Sequence, residues 1–306
     1  QEWKEVQRET KGYQKKMAEV EVNYLEVGTN AVLASQENMS DRIDESYTTA
    51  NKLDEINATF ENKYEFVRVD GNANGNYTLE KQVITYYYQK KESRVLIIHV
   101  DSDTDVTNPA TITDVLYPTE EKTGRVDDPY ESVARTEEIN ATSNYKYALD
   151  HIIGSANGNF AVDTIYVIYV YAKQDTVLYI KHVDVITGEE LDSITVEGYI
   201  GDIVNTREGT FPSYRLYEKP ATEEYVLAED PITVTYYYIR QANVITKYID
   251  EVTGNEISTQ NFDTYDQNSE YGTVKKDIPE YTYTRDTGNT TGTIGMAFQD
   301  TTYIDI

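Results

Sequence analysis

Three histidines, a run of alternate aspartates and 29 tyrosines are the side chains of this 306-residue sequence whose types and spacing could do chemistry. His99 and His182 stand 83 residues apart, each followed by Val-Asp, and the matching places elsewhere hold Tyr24 and Tyr248. A position that accepts His or Tyr reads as a half-buried strand position. A catalytic base would need a nucleophile or metal within hydrogen-bond reach. His151 stands alone. Asp101, Asp103 and Asp105 alternate as at the start of a calcium loop. Val106 replaces the glycine of the sharp turn, and Pro109 to Ile112 bring no bidentate Glu. The segment therefore reads as a solvated turn stiffened by side-chain-to-backbone bonds, with no metal expected. Glycosidase chemistry needs two carboxylates at a defined separation in a cleft, and nothing singles out a pair among 54 acidic residues. No catalytic residue and no cofactor are expected.

Tyrosine remains, against six Phe and one Trp. Strand propensity and the packing of small cores account for many of these rings. The functional alternative is that exposed rings form platforms on which sugars stack. The candidates are Tyr86, Tyr87, Tyr88, Tyr169, Tyr171, Tyr236, Tyr237 and Tyr238, with Tyr87, Tyr169 and Tyr237 read as comparable members. Alternation along a strand sends Tyr86 and Tyr88 to one face and Tyr87 to the other.

These rings sit in a strand that is written several times. Thr85 to Lys90 is echoed by Val170 to Lys173 and by Thr235 to Arg240, with a fainter copy at Gly12 to Lys16. Each copy is followed by an apolar strand: Val20 to Tyr24, Val95 to Val100, Val177 to Val183, Val244 to Ile249. Glu55 to Thr59 recurs at Glu138 to Thr142, and Val183 to Leu191 recurs at Ile249 to Ile257. Such periodicity implies tandem modules, here 17–92, 93–174, 175–241 and 242–306. Residues 1–16 read as a helical linker or the tail of a preceding module. The fourth module reads as clipped, because the chain stops at Thr301 to Ile306.

Within a module the pattern predicts a hairpin, a short helix and two further strands. Tyr47 to Thr59 predicts a helix with Leu53, Ile56 and Phe60 on one stripe and Ser46 placed to cap it. Val133 with Ile139 suggests the same in module two. The Gly- and Pro-containing stretches 207–213 and 275–281 predict a shortened or absent helix in modules three and four. Asn74-Gly75, repeated at Asn157-Gly158, predicts a type I′ hairpin turn.

The net charge of −27 repels polyphosphate and disfavours nucleic acid. Cysteine is absent, so disulfides and thiolate metal sites are excluded. No apolar run of about 18 residues is present, so this segment is not expected to enter a membrane.

Tyr179 to Leu191 and Lys247 to Ile257, then Gly198-Tyr199-Ile200-Gly201, then a closing Val-Thr-Tyr-Tyr-Tyr, resemble the mucin-binding-protein (MucBP) repeat of Gram-positive surface adhesins. Repeats one and two depart from the pattern, carrying Glu26 to Asn30 and Asp101 to Asp105 at the turn. The resemblance implies an α+β, strand-rich fold of tandem ubiquitin-like β-grasp modules, set as an elongated rod by short junctions and shared acidic charge. It implies a non-enzymatic, monomeric fragment of an extracellular protein, wall-anchored through regions outside this sequence, that binds host mucin glycans or another glycoprotein. The alternatives are stalk repeats that present a distal adhesive domain, or recognition of a host protein by strand pairing. Mucins carry sialic acid and sulfate, and like charges repel over a Debye length of about 8 Å, which favours a stalk over simple adhesion.

Overall fold

A computed structural model describes residues 9–295 and the backbone of 301–305. By their contacts the residues divide into two compact units, Gln1–Arg135 with Leu149–Tyr171, and Thr136–Ala148 with Ala172–Ile306.

The first module contains β1 (Met17–Glu26), β2 (Val32–Arg42), β3 (Ser46–Thr48), α1 (Leu53–Thr59), β4 (Tyr64–Asp70), β5 (Asn74–Asn76) and β6 (Gln82–Lys90). The sheet order is β2-β1-β6-β4. β1 pairs antiparallel with β2 and parallel with β6, and β4 returns antiparallel to β6. One face carries Val20, Val22, Tyr24, Ile84, Tyr86 and Tyr88, all buried together with Ile56 of the helix. The other is half-open, because strand side chains alternate and one helix covers only one face.

The pattern recurs. Module two has β7 (Glu92–Asp101), a 3-10 turn (Pro109–Thr111), β8 (Tyr117–Arg125), β9 (Pro129–Glu131), α2 (Thr136–Thr142), β10 (Tyr147–Ile153), β11 (Asn157–Asn159) and β12 (Ile165–Lys173). Its sheet runs β10-β12-β7-β8. Module three has β13 (Asp175–Asp184), β14 (Glu190–Tyr199), β15 (Ile203–Asn205), β16 (Tyr214–Glu218), β17 (Glu224–Val226) and β18 (Ile232–Ile249). β18 closes module three and opens module four without a break. Module four adds β19 (Glu256–Asp266), β20 (Glu270–Gly272), β21 (Thr291–Thr293) and β22 (Thr301–Asp305).

Several expectations change. The first helix begins at Leu53, not Tyr47, and Ser46 caps nothing: Ser46–Thr48 is a strand paired with Asn74–Asn76. Asn74-Gly75 is accordingly a strand, not a hairpin turn. Its glycine is required by a neighbour, since a Cβ on Gly75 would lie 2.9 Å from the Tyr47 hydroxyl. Gly158 faces Tyr130 and Gly292 faces Tyr271 in the same way. Residues 9–16 form no helix, and residues 1–8 with Trp3 lie outside the described residues. Val133 is exposed and lies outside α2, whose buried residue is Ile139. As expected, residues 207–213 and 275–281 contain no helix.

The repeated Glu-Ile-Asn-Ala-Thr motif has a structural task. Asn57 donates to the Tyr64 carbonyl at 3.0 Å and accepts from the Tyr64 N–H at 2.9 Å. Asn140 does the same with Tyr147, at 3.0 and 2.7 Å. The amide mimics a strand edge and ties the helix end to the strand that follows.

Candidate functional site

The candidate tyrosines occupy a repeated grid. Register places Tyr86, Tyr169 and Tyr236 opposite Tyr24, His99 and His182 respectively. Tyr169 is therefore the equivalent of Tyr86 and Tyr236, not of Tyr87 and Tyr237; Val170 takes that place. Tyr86, Tyr169 and Tyr236 point inward, and each hydroxyl lies 2.9 Å from a hydroxyl on the connecting segment: Thr49, Ser132 and Thr206. Two residues on, Tyr88, Tyr171 and Tyr238 accept backbone N–H bonds from Lys52, Arg135 and Gly209 at 2.8, 2.7 and 2.8 Å. All six rings are buried. They peg the closing strand to the connection that crosses it, and a buried ring offers a ligand no face on which to stack.

Burial raises the Tyr88, Tyr236 and Tyr238 phenols above their ordinary range, because the tyrosinate would lose its hydration. Tyr24 moves the same way through burial first and the Glu37 carboxylate second.

His99 and His182 are fully rather than half buried. His99 stacks on Tyr169 at 5.1 Å and meets the Tyr171 hydroxyl through Nδ1 at 2.9 Å. His182 stacks on Tyr236 at 5.5 Å. Each occupies the place where Tyr24 stacks on Tyr86. These imidazoles are core rings. His151 is exposed and contacts only its neighbour Asp150 among the interactions described, at 2.8 Å.

Asp101 and Asp105 accept N–H bonds from Asp103 and Thr107 at 3.1 and 3.0 Å. Among the described residues no group of three His, Asp or Glu side chains could hold a metal ion, and no helix is long and apolar enough to cross a membrane. The acidic turn opens an insertion that sequence reasoning missed. Val106, Ile112 and Val115 from this insertion pack on Ile98, Val100, Ile168 and Val170, covering the second face of the sheet in module two. The signal was present: β7 reads Val-Leu-Ile-Ile-His-Val, a continuous apolar run that implies burial on both faces.

The outward faces differ among modules. In module one Tyr87 is half-buried, and the Arg68 guanidinium lies over its ring at 4.2 Å. In module three the outer face is open. It sets Tyr179, Lys181 and Val183 of β13 beside Thr233, Thr235 and Tyr237 of β18. Tyr179 is 36% and Tyr237 37% exposed, so part of each ring stays in reach of solvent.

Short junctions join the modules, and the first two are built the same way. The Lys91 N–H donates to the Lys63 carbonyl at 2.8 Å, while its own carbonyl accepts from Val126 at 3.0 Å. Gln174 repeats this between Lys146 and Ile200, with both bonds at 2.9 Å. Gln241 donates to Ser213 at 2.7 Å, and Gln267 donates to Arg240 at 2.8 Å. Charges reinforce them. Asp127 takes Lys63 at 3.2 Å and Lys90 at 3.0 Å, and both lysines hold its carboxyl below the usual range. Lys146 meets Glu229 at 2.6 Å, and Arg215 forks onto Asp266.

The MucBP domain matches residues 19–89, 95–172, 178–239 and 243–304. The chain belongs to the MucBP family. Two curated relatives of this MucBP chain are named Internalin J, from Listeria monocytogenes serotype 4b and serovar 1/2a. They are 29% and 28% identical over 94% of this chain. The match spans 30% and 32% of their own lengths. Among solved structures, the Bacillus anthracis TIE protein is similar at 13% identity and TM-score 0.40, over 72% of this chain and 50% of that one. A type 2 repeat of the mucus binding protein MUB from Lactobacillus reuteri is similar at 12% identity and TM-score 0.20, over 73% of this chain and 99% of that repeat.

Proposed function

We propose that this chain is a non-enzymatic, monomeric segment of a bacterial cell-surface adhesin that attaches to host mucin glycans or another glycoprotein, with wall anchoring supplied elsewhere in the protein. Its modules are β-grasp-like, with boundaries at 92/93, 174/175 and 241/242. The mixed sheet with parallel first and last strands supports that reading of the fold. The single observation that carries the binding role is the open outer face of module three, where Tyr237 and Tyr179 flank Thr233, Thr235 and Lys181. Flat rings with polar tips suit a sugar that is apolar on one face and hydroxylated at its edge. The net charge of −27 directs this face to the uncharged sugars of a glycan rather than its sialic acid or sulfate. Of the eight candidate rings, Tyr237 and Tyr87 remain, and Tyr237 has the freer face.

Tyr237→Ala should weaken binding several-fold in a mucin or glycan plate assay. Losing one stacking ring costs on the order of 1–2 kcal/mol, with base stacking as the nearest analogue. The thermal midpoint should move little, because the ring lies outside the core. Absence of binding by the intact chain would remove the adhesive role.

The junctions favour a second reading, in which the repeats are a stalk. Gly201 is the place to test it. Its φ is +106°, and a Cβ there would lie 2.1 Å from the Asn144 carbonyl oxygen, across the junction of modules two and three. Gly201→Val should raise amide exchange at Gln174 and Ile200 by about tenfold or more while the Val234 and Tyr236 amides stay protected, as expected for a local opening. Unchanged exchange at Gln174 and Ile200 would mean that the junction is not held by this contact.

A further inference from the structure

Module three carries a third solvent-reachable ring on its outer face. Tyr199 ends β14 and is 43% exposed. Register fixes its place. Tyr199 stands opposite Asp175 of β13, and Tyr237 of β18 stands opposite Val183. Tyr179 of β13 lies midway between them. Alternate residues of a strand share a face, so residues 175, 179 and 183 put all three rings on the same side of the sheet. Each step from ring to ring moves four residues along β13 and one strand across, in the order β14, β13, β18. Neighbouring rings are thus about 14 Å apart on a single diagonal.

Modules one and two lack this line. At the same register positions module one has Arg42, Glu21 and Tyr87, and module two has Arg125, Leu96 and Val170. The ground between the rings of module three is polar. Thr195 and Thr233 flank Tyr179, and Ser193 and Thr235 flank Lys181. Lys181 is held by Glu190 at 2.9 Å. Beside Tyr199 the diagonal ends in a concavity of about 670 Å³, lined by Asp175, Val177, Glu197, Glu229 and Pro231, among others.

Spacing and charge together select an occupant. No single pyranose reaches from one ring to the next. The carboxylates of Asp175, Glu190 and Glu197 lie on this face and oppose an anionic ligand, a sialylated or sulfated sugar included. A polyproline helix repeats its faces about every 9 Å, out of step with rings about 14 Å apart. A linear chain of uncharged sugars offers an apolar ring face at every unit and hydroxyls along its edges. It can meet each tyrosine in turn and the Thr and Ser hydroxyls between them.

We propose that the outer face of module three is a diagonal track for an extended, uncharged oligosaccharide, with Tyr199, Tyr179 and Tyr237 as its three stacking positions. The track rests on the glycan-binding role proposed for that face and adds selection by chain length. Each further ring that one sugar chain engages acts as a linked site, so affinity climbs steeply once the ligand spans two rings.

The test uses uncharged glycans released from mucin and sorted by length into a pool of one or two sugars and a pool of six or more. Each pool is titrated against the intact chain by calorimetry. The long pool should bind about tenfold tighter or more. Tyr199→Ala and Tyr179→Ala should each weaken the long pool several-fold and leave the short pool nearly unchanged, a split that mere loosening of the fold would not produce. Tyr13→Ala, which removes an exposed ring outside module three, should change neither. Equal affinity for the two pools, or long-pool binding untouched by Tyr199→Ala and Tyr179→Ala, would overturn the track and leave adhesion through Tyr237 standing. Binding of whole mucin with neither pool bound would overturn the track as well. Equal binding of mucin stripped of its glycans would assign the face to the polypeptide instead. Failure of whole mucin to bind would remove the glycan-binding role itself, and the track with it.

Discussion

Raising the pH past 10 should unfold this protein over a narrow range. Burial raises the phenols of Tyr24, Tyr64, Tyr88, Tyr214, Tyr236, Tyr238 and Tyr248. Tyr64 is pushed up to about 12, by burial first and then by the Glu26 carboxylate that its hydroxyl meets at 3.2 Å. The unfolded chain releases these protons near pH 10, whereas the folded chain keeps them. Stability is therefore complete below pH 10 and falls as pH rises toward 12. A shift of about two units corresponds to about 3 kcal/mol for Tyr64 alone, a large share of the stability of a small domain. Tyrosinate absorbance near 295 nm should rise in two waves, the second coinciding with loss of the β-sheet circular dichroism. A single wave with intact dichroism through pH 12 would show that the buried rings ionise without unfolding.

The second large effect is expected at the last tyrosine of each closing strand. Tyr88→Ala and Tyr238→Ala each remove a fully buried ring and should cost about 3–5 kcal/mol, the range for large aromatic deletions in packed cores. The conservative change is more revealing. Tyr88→Phe keeps the ring against Phe66, 6.0 Å away, but leaves the Lys52 N–H without its 2.8 Å acceptor. An orphaned buried donor costs about 1–3 kcal/mol. Urea unfolding with amide exchange resolved by module measures both. A Phe variant as stable as the parent would mean that water replaces the hydroxyl and that the peg acts through its ring alone.

Much of the fold was legible because each module repeats one sheet pattern. The hairpin, the alternating closing strand and the loss of the helix after Gln174 all followed from local composition and spacing. The helix start was misread because Ser46 and Tyr47 satisfy helix rules locally, while a distant strand at Asn74–Asn76 claims them. The tyrosines were legible as strand residues but not as buried or exposed. That depended on which connection crosses the sheet, and on Thr49, Ser132 and Thr206 standing ready for their hydroxyls. The outer face of module three emerged only from comparison. Arg68 over Tyr87 narrows the outer face of module one and the 102–116 insertion over Val170 covers that of module two, and neither is visible in the closing strands themselves.

The parallel neighbours β1 and β6, β7 and β12, and β13 and β18 are also the first and last strands of their modules. Because they are parallel, the chain enters and leaves the pair at opposite ends. Tension carried along the polypeptide therefore slides one strand past the other. The evenly spaced bonds of a parallel ladder then share the load in shear and must yield together rather than open one at a time. The tyrosine pegs brace the closing strand against that same slip, since each hydroxyl anchors it to a segment lying across the direction of pull. A chain tethered at one end and pulled at the other would thus meet resistance in each of the first three modules before their cores are exposed.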